Sequence, residues 1–410
     1  MLDIKYIREN LDLCKEAAKN KNREVEWDEL LGLDDKRRDL IAKSDTLRSE
    51  RNKLTRDDME RGKSLKLELK NIEDELRGVE EKFNLLMLTV PNVPDKSVPV
   101  GKDASGNKEI KKWGNVPKFD FTPKDHIELA KSLDLIDFER GVKVGGFRTY
   151  FLKNELALLE MAIVSYAFQK LANKGYVPMT APALVKDFTF IGNGQFPWGR
   201  EEVYHLEKDD LYLAGTAEVP VTAYYSNEVL EEKDLPKKFV AFSPCFRREI
   251  GSYGKDTKGV YRVHQFSKIE QVIIAPADMS NSFTLHEELL ANSEEILQDL
   301  ELPYRVLLMC TGDMGEPQVK KYDIETWMPG RNEYGETMSD SFMGDFQARR
   351  LKIRYKTKDG KTVFAHTLNN TAIASPRILI AILENYQQAD GSILIPKVLQ
   401  TFVGKKLIKR

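Results

Sequence analysis

The stretch richest in chemistry-bearing side chains runs from Ala241 to Val272, AFSPCFRREIGSYGKDTKGVYRVHQFSKIEQV. Arg247 and Glu249 are two apart, so on an extended chain both point to one face. After the stretch 252–259 the alternation resumes. Arg262, His264, Phe266, Lys268 and Glu270 share one face, and Val263, Gln265, Ser267 and Ile269 share the other. Arginine grips carboxylate or phosphate bidentately, and phenylalanine stacks on a base. Arginines, a phenylalanine and two carboxylates on one sheet face suit an anionic, aromatic ligand with a cationic group beside it, as ATP and an amino acid would be. A salt-bridged sheet surface is the competing reading.

Three shorter stretches concentrate polar residues of the kind found in buried sites. Thr216-Ala217-Glu218 follows the apolar run Leu211–Ala214. There a Glu binds an ammonium group, or Thr216 simply caps a helix with an acid in its first turn. Glu336-Thr337-Met338-Ser339 offers a carboxylate and a hydroxyl, hard ligands for Mg²⁺ already held by phosphates. Being three apart, they need a bulge or turn to reach one ion; a solvated strand end is the alternative. Asn369-Asn370-Thr371 precedes Pro376 and Arg377. Pro376 suits the first turn of a helix, which puts Arg377 near an anion-attracting N-terminus; an ordinary polar loop before a helix is the alternative.

These stretches need a frame. Asn154–Asn173 carries Leu156, Leu159, Ile163, Ala167 and Leu171 at helical spacing, and helices also fit Ser280–Leu300 and Ala374–Gln388. Strand-like runs are Glu202–Leu206, Leu211–Ala214, Phe239–Ser243, Tyr261–Ile274, Tyr304–Met309, Tyr322–Met328 and Arg349–Tyr355. Strands that cluster rather than alternate with helices predict a mostly antiparallel sheet flanked by helices. No GxGxxG sits between strand and helix, and the phosphate-loop pattern GxxxxGK is absent, so any ATP site dispenses with both glycine loops.

The first hundred residues differ in kind. Leu33, Leu40, Leu47 and Leu54 recur every seven residues, and Leu65, Leu69, Ile72, Leu76, Val79, Phe83 and Leu86 follow at alternating spacings of four and three. With a turn around Asp57, Asp58 and Gly62, this predicts an antiparallel helical hairpin ending before Val90-Pro91. Residues 36–56 carry eight Lys or Arg against three acids, a flank that suits a phosphate backbone or, alternatively, a solvated coiled coil used in dimerisation. Residues 104–115, polar and rich in Gly and Lys, read as a linker. No apolar run of membrane length occurs, the N-terminus lacks a signal-peptide pattern, and Cys14, Cys245 and Cys310 are scattered. These features argue for a cytoplasmic chain without membrane span, disulfide framework or cysteine zinc site.

Together these stretches resemble the seryl-tRNA synthetases of bacterial type, class II aminoacyl-tRNA synthetases. The resemblance covers nearly the whole chain in order, through VPNVPDKSVPVG, DFERGVKVGG, KGYVPMTAPALV, LYLAGTAEVP, the 241–272 stretch, CTGDMG, YDIETWMPG, DFQARR and HTLNNTAIASPRILIAILENYQQADG. It implies an α+β chain with a tRNA-binding helical arm over 1–103, a linker over 104–115 and a catalytic domain over 116–410. It implies that serine is activated by ATP as seryl-adenylate and passed to tRNA(Ser), with tRNA(Sec) open as a second acceptor. The alternative is an arm-bearing paralogue that activates an amino acid for a non-tRNA carrier.

By resemblance, Gly175–Pro182 is motif 1, at a homodimer interface. Arg247 bridges the serine carboxylate and the α-phosphate, Glu249 holds the adenine amino group, Arg262 meets the γ-phosphate, Phe266 stacks on adenine, and Arg377 serves the phosphates. Arg248, Val263, Thr337 and Met338 complete the implied ATP contacts. Thr216, Ala217 and Glu218 take the serine amino end; Glu270, Asn369 and Thr371 take its hydroxyl end; Glu336 and Ser339 hold Mg²⁺. The loop 252–259, with Lys255 and Lys258, is implied to meet the tRNA acceptor end. Three positions depart from the family pattern: Asp340 where cysteine is usual, Phe342 where asparagine is usual, and Gly335 where arginine is frequent. Asp340 is expected to add negative charge near the phosphates and weaken ATP binding.

Overall fold

The structure, a computed structural model, describes residues 1–55, 58–250 and 258–410. It divides into two units, Met1–Val93 and Pro94–Arg410.

The first unit is helical: α1 (Ile4–Glu9), α2 (Leu11–Asn20), α3 (Trp27–Asn52) and α4 (Met59–Thr89). Helices α3 and α4 run antiparallel, as Arg48 to Glu73 at 3.0 Å and Arg61 to Glu50 at 2.7 Å show. At 26 and 31 residues they hold about four heptads each. Leu40, Leu65, Leu69, Val79 and Phe83 of the seam are buried, whereas Leu33, Leu47, Leu54, Ile72, Leu76 and Leu86 are half-buried, since two helices alone leave a seam partly open. Near the base, Leu2, Ile7, Cys14, Leu30, Phe83, Met87 and Val90 form a small core. Asp58 accepts from Thr55 N and Oγ1, both at 2.8 Å, and Gly62 already lies within α4. Asp57 of the expected turn lies outside the described residues.

The second unit is built on an eight-stranded sheet. Its strands are β1 (Lys108–Trp113), β2 (Val177–Thr180), β3 (Lys237–Phe246), β4 (Gln265–Ala275), β5 (Tyr304–Leu308), β6 (Lys320–Met328), β7 (Glu333–Gly344) and β8 (His366–Ala374). The order is β1-β5-β6-β7-β8-β4-β3-β2, antiparallel throughout except for the parallel edge pair β2–β3. Helices α5 (Asn154–Asn173), α6 (Met279–Asp299) and α7 (Ser375–Asn385) pack on it, α6 against β7 and β8. Their apolar faces close one large core with the sheet, including Leu159, Ile163, Leu289, Ile296, Ile373, Ile378 and Ile382.

Three expectations need correction. Residues 104–115 are not a linker: Lys108–Trp113 is an edge strand paired with Tyr304–Leu308, and the unit boundary falls at Val93. The run Arg349–Tyr355 is not one strand. Phe346–Leu351 is helical, fastened by Arg349 Nε to Asp345 Oδ2 at 2.7 Å, and only Arg354–Lys356 is extended. Its Phe346, Gln347, Ala348 and Leu351 are buried, a pattern without a clean helical period that reads as strand in the sequence. Finally, β4 begins at Gln265, so residues 261–264 are irregular rather than strand.

Candidate active site

Two β-bulges build the site. In the β6–β7 ladder Ile324 pairs with Met338 and Glu325 with Glu336, so Thr337 is the extra residue. Its Oγ1 lies 2.8 Å from Thr326 Oγ1 and donates to the Ile324 carbonyl at 3.2 Å. The bulge supplies the turn that Glu336 and Ser339 require, and both line one cavity. In the β4–β8 ladder Ile269 pairs with Ile373 but Glu270 with Thr371, so Ala372 is the extra residue. That slip sets Thr371 opposite Glu270.

The cavity encloses about 600 Å³, its mouth included, and brings together Arg247, Glu249, Arg262, Val263, Phe266, Glu336, Thr337, Met338, Ser339, Thr371 and Arg377 of the expected residues. Glu270, Asn369 and Thr216 are not among the lining residues; buried Glu270 lies behind Lys268 and Thr371, which are. Glu270 Oε1 accepts from Asn369 Nδ2 at 3.0 Å, and Oε2 accepts from Thr371 Oγ1 at 3.2 Å and from Lys268 Nζ at 2.5 Å. Lys268 also donates to Thr216 Oγ1 at 2.6 Å. Over the mouth, Arg247 Nε donates to the Gly215 carbonyl at 3.2 Å, and its guanidinium lies 5.3 Å from the Phe266 ring centre. Glu249 follows the end of β3 in the left-handed region (φ 57°), and its carboxylate takes Arg262 Nη1 at 2.6 Å. The expected shared face of Arg247, Glu249 and Arg262 is therefore met by turn geometry beyond the strand ends, not by strand alternation. Arg377, in the first turn of α7 beside Pro376, donates to Glu336 Oε2 at 3.1 Å and to the Glu336 carbonyl at 2.8 Å. Desolvation acts to raise the Glu336 pKa, but the charges of Arg377 and Lys321 outweigh it and hold the carboxyl below its ordinary value.

Some expected residues stand apart. Arg248 turns away, with Nη1 on the Glu201 carbonyl at 3.1 Å, and does not line the cavity. Ala217 and Glu218 lie outside its lining as well. Glu218 opens a short helix and its N–H donates to Thr216 Oγ1 at 3.1 Å, but the N-cap position is Ala217 and carries no side-chain cap bond, so Thr216 is not the cap. Its carboxylate accepts from Asn193 at 2.8 Å and Gln347 at 2.9 Å, and burial with the nearby Glu270 charge pushes its pKa up. Residues 252–257 of the expected loop, Lys255 among them, lie outside the described residues.

Asp340 is corrected. It alternates with Ser339 along β7 and faces α6 on the other side of the sheet, where Oδ2 lies 3.2 Å from His286 Nε2. Both side chains are fully buried. Burial, with the Glu287 charge next, raises the Asp340 pKa well above 3.8, and burial lowers that of His286 to about 3. Burial disfavours the charged form of both partners, and the pair lies on the face away from the cavity. Phe342 belongs to the core, packed edge-on against Phe283. Four lining residues had no assigned site role from sequence: Lys268, whose place between Phe266 and Glu270 on one face was a usable signal, Tyr261, which carried none, and the apolar Ala374 and Pro376.

Known proteins agree with this architecture. Residues 202–386 match the tRNA synthetase class II core domain (G, H, P, S and T), and fold and site together define a class II aminoacyl-tRNA synthetase. Residues 1–94 match the Seryl-tRNA synthetase N-terminal domain. The serine–tRNA ligase of Deinococcus radiodurans is 46% identical, with 98% of each chain covered; that of Rubrobacter xylanophilus is 43% identical, covering 100% of this chain and 99% of its own. Among solved structures, the seryl-tRNA synthetase of Pyrococcus horikoshii complexed with ATP superposes with TM-score 0.93 at 39% identity, covering 100% of this chain and 99% of its own. The cytoplasmic serine–tRNA ligase of Naegleria fowleri in complex with AMP gives 0.90 at 33% over the same shares. The chain belongs to the seryl-tRNA synthetases.

Proposed function

We propose that this protein attaches L-serine to tRNA(Ser) in two steps, and that the 600 Å³ cavity is where both occur. The observation that carries this reading is the carboxylate behind the cavity wall. Buried Glu270 is ringed by Lys268, Asn369 and Thr371, and of these Lys268 and Thr371 line the cavity together with Arg247, Arg262 and Arg377. Such a cluster recognises a small hydroxyl-bearing group. Alanine would leave Glu270 unmatched by a ligand hydroxyl, a large penalty, whereas threonine is rejected only by pocket size, a smaller one.

In the first step the serine carboxylate attacks the α-phosphorus of ATP in line and pyrophosphate leaves. Arg247 bridges the two reactants, Phe266 and Glu249 take the adenine, and Arg262 and Arg377 neutralise the phosphates. Thr216 and Glu218 support the amino end. In the second, the terminal ribose hydroxyl of tRNA attacks the acyl carbon of the adenylate, the bond to the phosphate oxygen breaks and AMP leaves, its phosphate taking the hydroxyl proton. Positioning and charge neutralisation supply the acceleration, with no protein general base. Glu336 and Ser339 fit Mg²⁺: both are oxygen donors, one bulge brings both to the cavity, and Glu336 is held ionised. Two protein ligands suffice where phosphates complete the shell, and the ion would neutralise phosphate charge there.

The arm within Met1–Val93, with its basic flank on α3, would grip tRNA and separates this reading from an enzyme that loads a non-tRNA carrier. A seryl-tRNA synthetase of M. kandleri is known in complex with tRNASec of A. aeolicus; at 17% identity it shares the fold, and tRNA(Sec) is a second acceptor to test here. Exposed Val177, Leu184 and Phe188, near the motif 1 segment, suit burial against a second copy in a homodimer. Free, buried Cys14, Cys245 and Cys310 fit the cytoplasm.

Serine-dependent ATP–pyrophosphate exchange tests the activity: none with serine, or as much with alanine, would refute it. Deleting residues 36–82 should leave exchange intact and abolish aminoacylation; charging that survives would remove the arm from the tRNA site.

A further inference from the structure

Tyr261 lines the cavity on the irregular segment between Gly259 and β4. The segment is held from behind. Gly259 adopts φ 70° against His126, where a Cβ would come within 2.0 Å of Nε2, and the next N–H, of Val260, is directed at the same nitrogen at 3.4 Å. His126 is set in turn by Glu384, with Nδ1 3.0 Å from Oε1.

Arg377 meets Tyr261 twice. Its Nε donates to the Tyr261 carbonyl at 3.2 Å, and its guanidinium carbon lies 4.5 Å from the ring centre. A second guanidinium, that of Arg331, packs on the same ring, also at 4.5 Å. Arg331 Nε and Nη2 hold Glu333 Oε1 at 2.7 and 2.6 Å. Gly335 leaves room for the phenol: a Cβ there would stand 3.0 Å from the Tyr261 hydroxyl oxygen.

The donor arithmetic of Arg377 gives these contacts a purpose. Nε and Nη1 are committed to the Tyr261 carbonyl and to Glu336, and among the described residues Nη2 has no partner, which leaves it to donate to a ligand anion. An aromatic ring against the guanidinium restrains its tilt and consumes no N–H. We propose that Tyr261 is a positioning residue of the nucleotide site: its ring and carbonyl fix the plane of Arg377 so that Nη2 faces the ATP phosphates, and Arg331 locks the ring. This rests on the reading of the cavity as an ATP site.

ATP–pyrophosphate exchange by the full chain tests it, with KM measured separately for ATP and serine and Tm as a control. Tyr261→Leu should raise the KM for ATP about tenfold, the scale of a desolvated cation–π contact, and leave the KM for serine within about twofold. Tyr261→Phe keeps the ring and should return the KM for ATP to within about threefold of wild type. Arg331→Met should raise it about threefold alone and add nothing on top of Tyr261→Leu, because Arg331 acts through the ring. If Tyr261→Leu does not fold, Gly335→Ala, which crowds the hydroxyl, should raise the KM for ATP, and adding Tyr261→Phe should reverse it. An unchanged KM for ATP, an equal rise for serine, a Phe variant as impaired as Leu, or additive effects of 261 and 331 would each overturn the proposal. Absence of serine-dependent exchange in the wild type would strike the activity itself instead.

Discussion

The central strands β4, β7 and β8 carry two buried polar clusters on opposite faces, one residue apart in sequence. On the cavity face, Lys268 and Glu270 form a tight pair at 2.5 Å with Thr216, Asn369 and Thr371 around it. On the α6 face, Asp340 and His286 meet at 3.2 Å, while Asn370 Oδ1 accepts from Gln271 Nε2 at 2.8 Å and Ser293 Oγ at 2.5 Å. Burial is alike; the partners are not. Glu270 is met by Lys268 Nζ and by two further hydrogen-bond donors. Asp340 meets the imidazole of His286, and burial disfavours the charged form of both. The contrast teaches that the carboxylate beside the ligand cavity is given a strong cation, whereas the one that only packs the sheet is given a weak base.

The comparison breaks most visibly at Glu270. Glu270→Gln keeps the size but leaves Lys268 without its counter-ion, and should lower kcat/KM for serine in exchange at least about 100-fold while erasing the preference over alanine. An unchanged serine KM would mean that the cavity cluster, like its opposite number, is only structural.

The Asp340–His286 pair is sharpened by pH. Asp340 has a folded-state pKa above its ordinary 3.8, so its stability contribution is whole below 3.8 and is lost as pH rises towards the folded value. His286, at about 3 against an ordinary 6.5, contributes fully above 6.5 and loses that contribution as pH falls towards 3. Where the windows overlap, the slopes oppose. Asp340→Asn removes only the first, so its stability relative to wild type should grow with pH, by at most about 1.4 kcal/mol per unit. Tm measured between pH 5.5 and 8 checks this; a constant difference would show that Asp340 is ionised in the fold. ATP KM should stay near wild type, because Asp340 faces away from the cavity.

The smallest effect is expected at the bulge. Thr337→Val loses the hydroxyl contact with Thr326 and the Ile324 carbonyl, costing about 1 kcal/mol of stability. If the bulge is what lets Glu336 and Ser339 share an ion, the Mg²⁺ concentration needed for half-maximal exchange should rise as well. A stability loss with unchanged Mg²⁺ dependence would confine Thr337 to packing.

Much of this was legible in the chain. Helix α5 lies at Asn154–Asn173 as its apolar spacing required, α4 stops at Thr89 before Val90-Pro91, and Pro376 opens α7. Glu336 and Ser339, three apart, required a bulge, and the ladder contains it. Other features were not legible. A polar Gly- and Lys-rich run reads as linker although Lys108–Trp113 is an edge strand, because an exposed edge needs little apolar content. Arg248 looks like Arg247, but the chain turns after Phe246 and sends it to Glu201. Tyr261 carried no signal, since its neighbours Arg331 and Arg377 are 70 and 116 residues away in the chain.

By itself, the sequence determined the heptad arm, the antiparallel class of the sheet and the residue types of the site, because periodicity, proline and side-chain chemistry are local properties. Only the tertiary structure decided which face each residue serves. One extra residue at Thr337 or Ala372 shifts every later side chain against its partner strand, and a one-residue step along β7 separates Ser339, in the cavity, from Asp340, buried on the opposite face. Register and burial belong to pairs of strands, and no single segment encodes them alone.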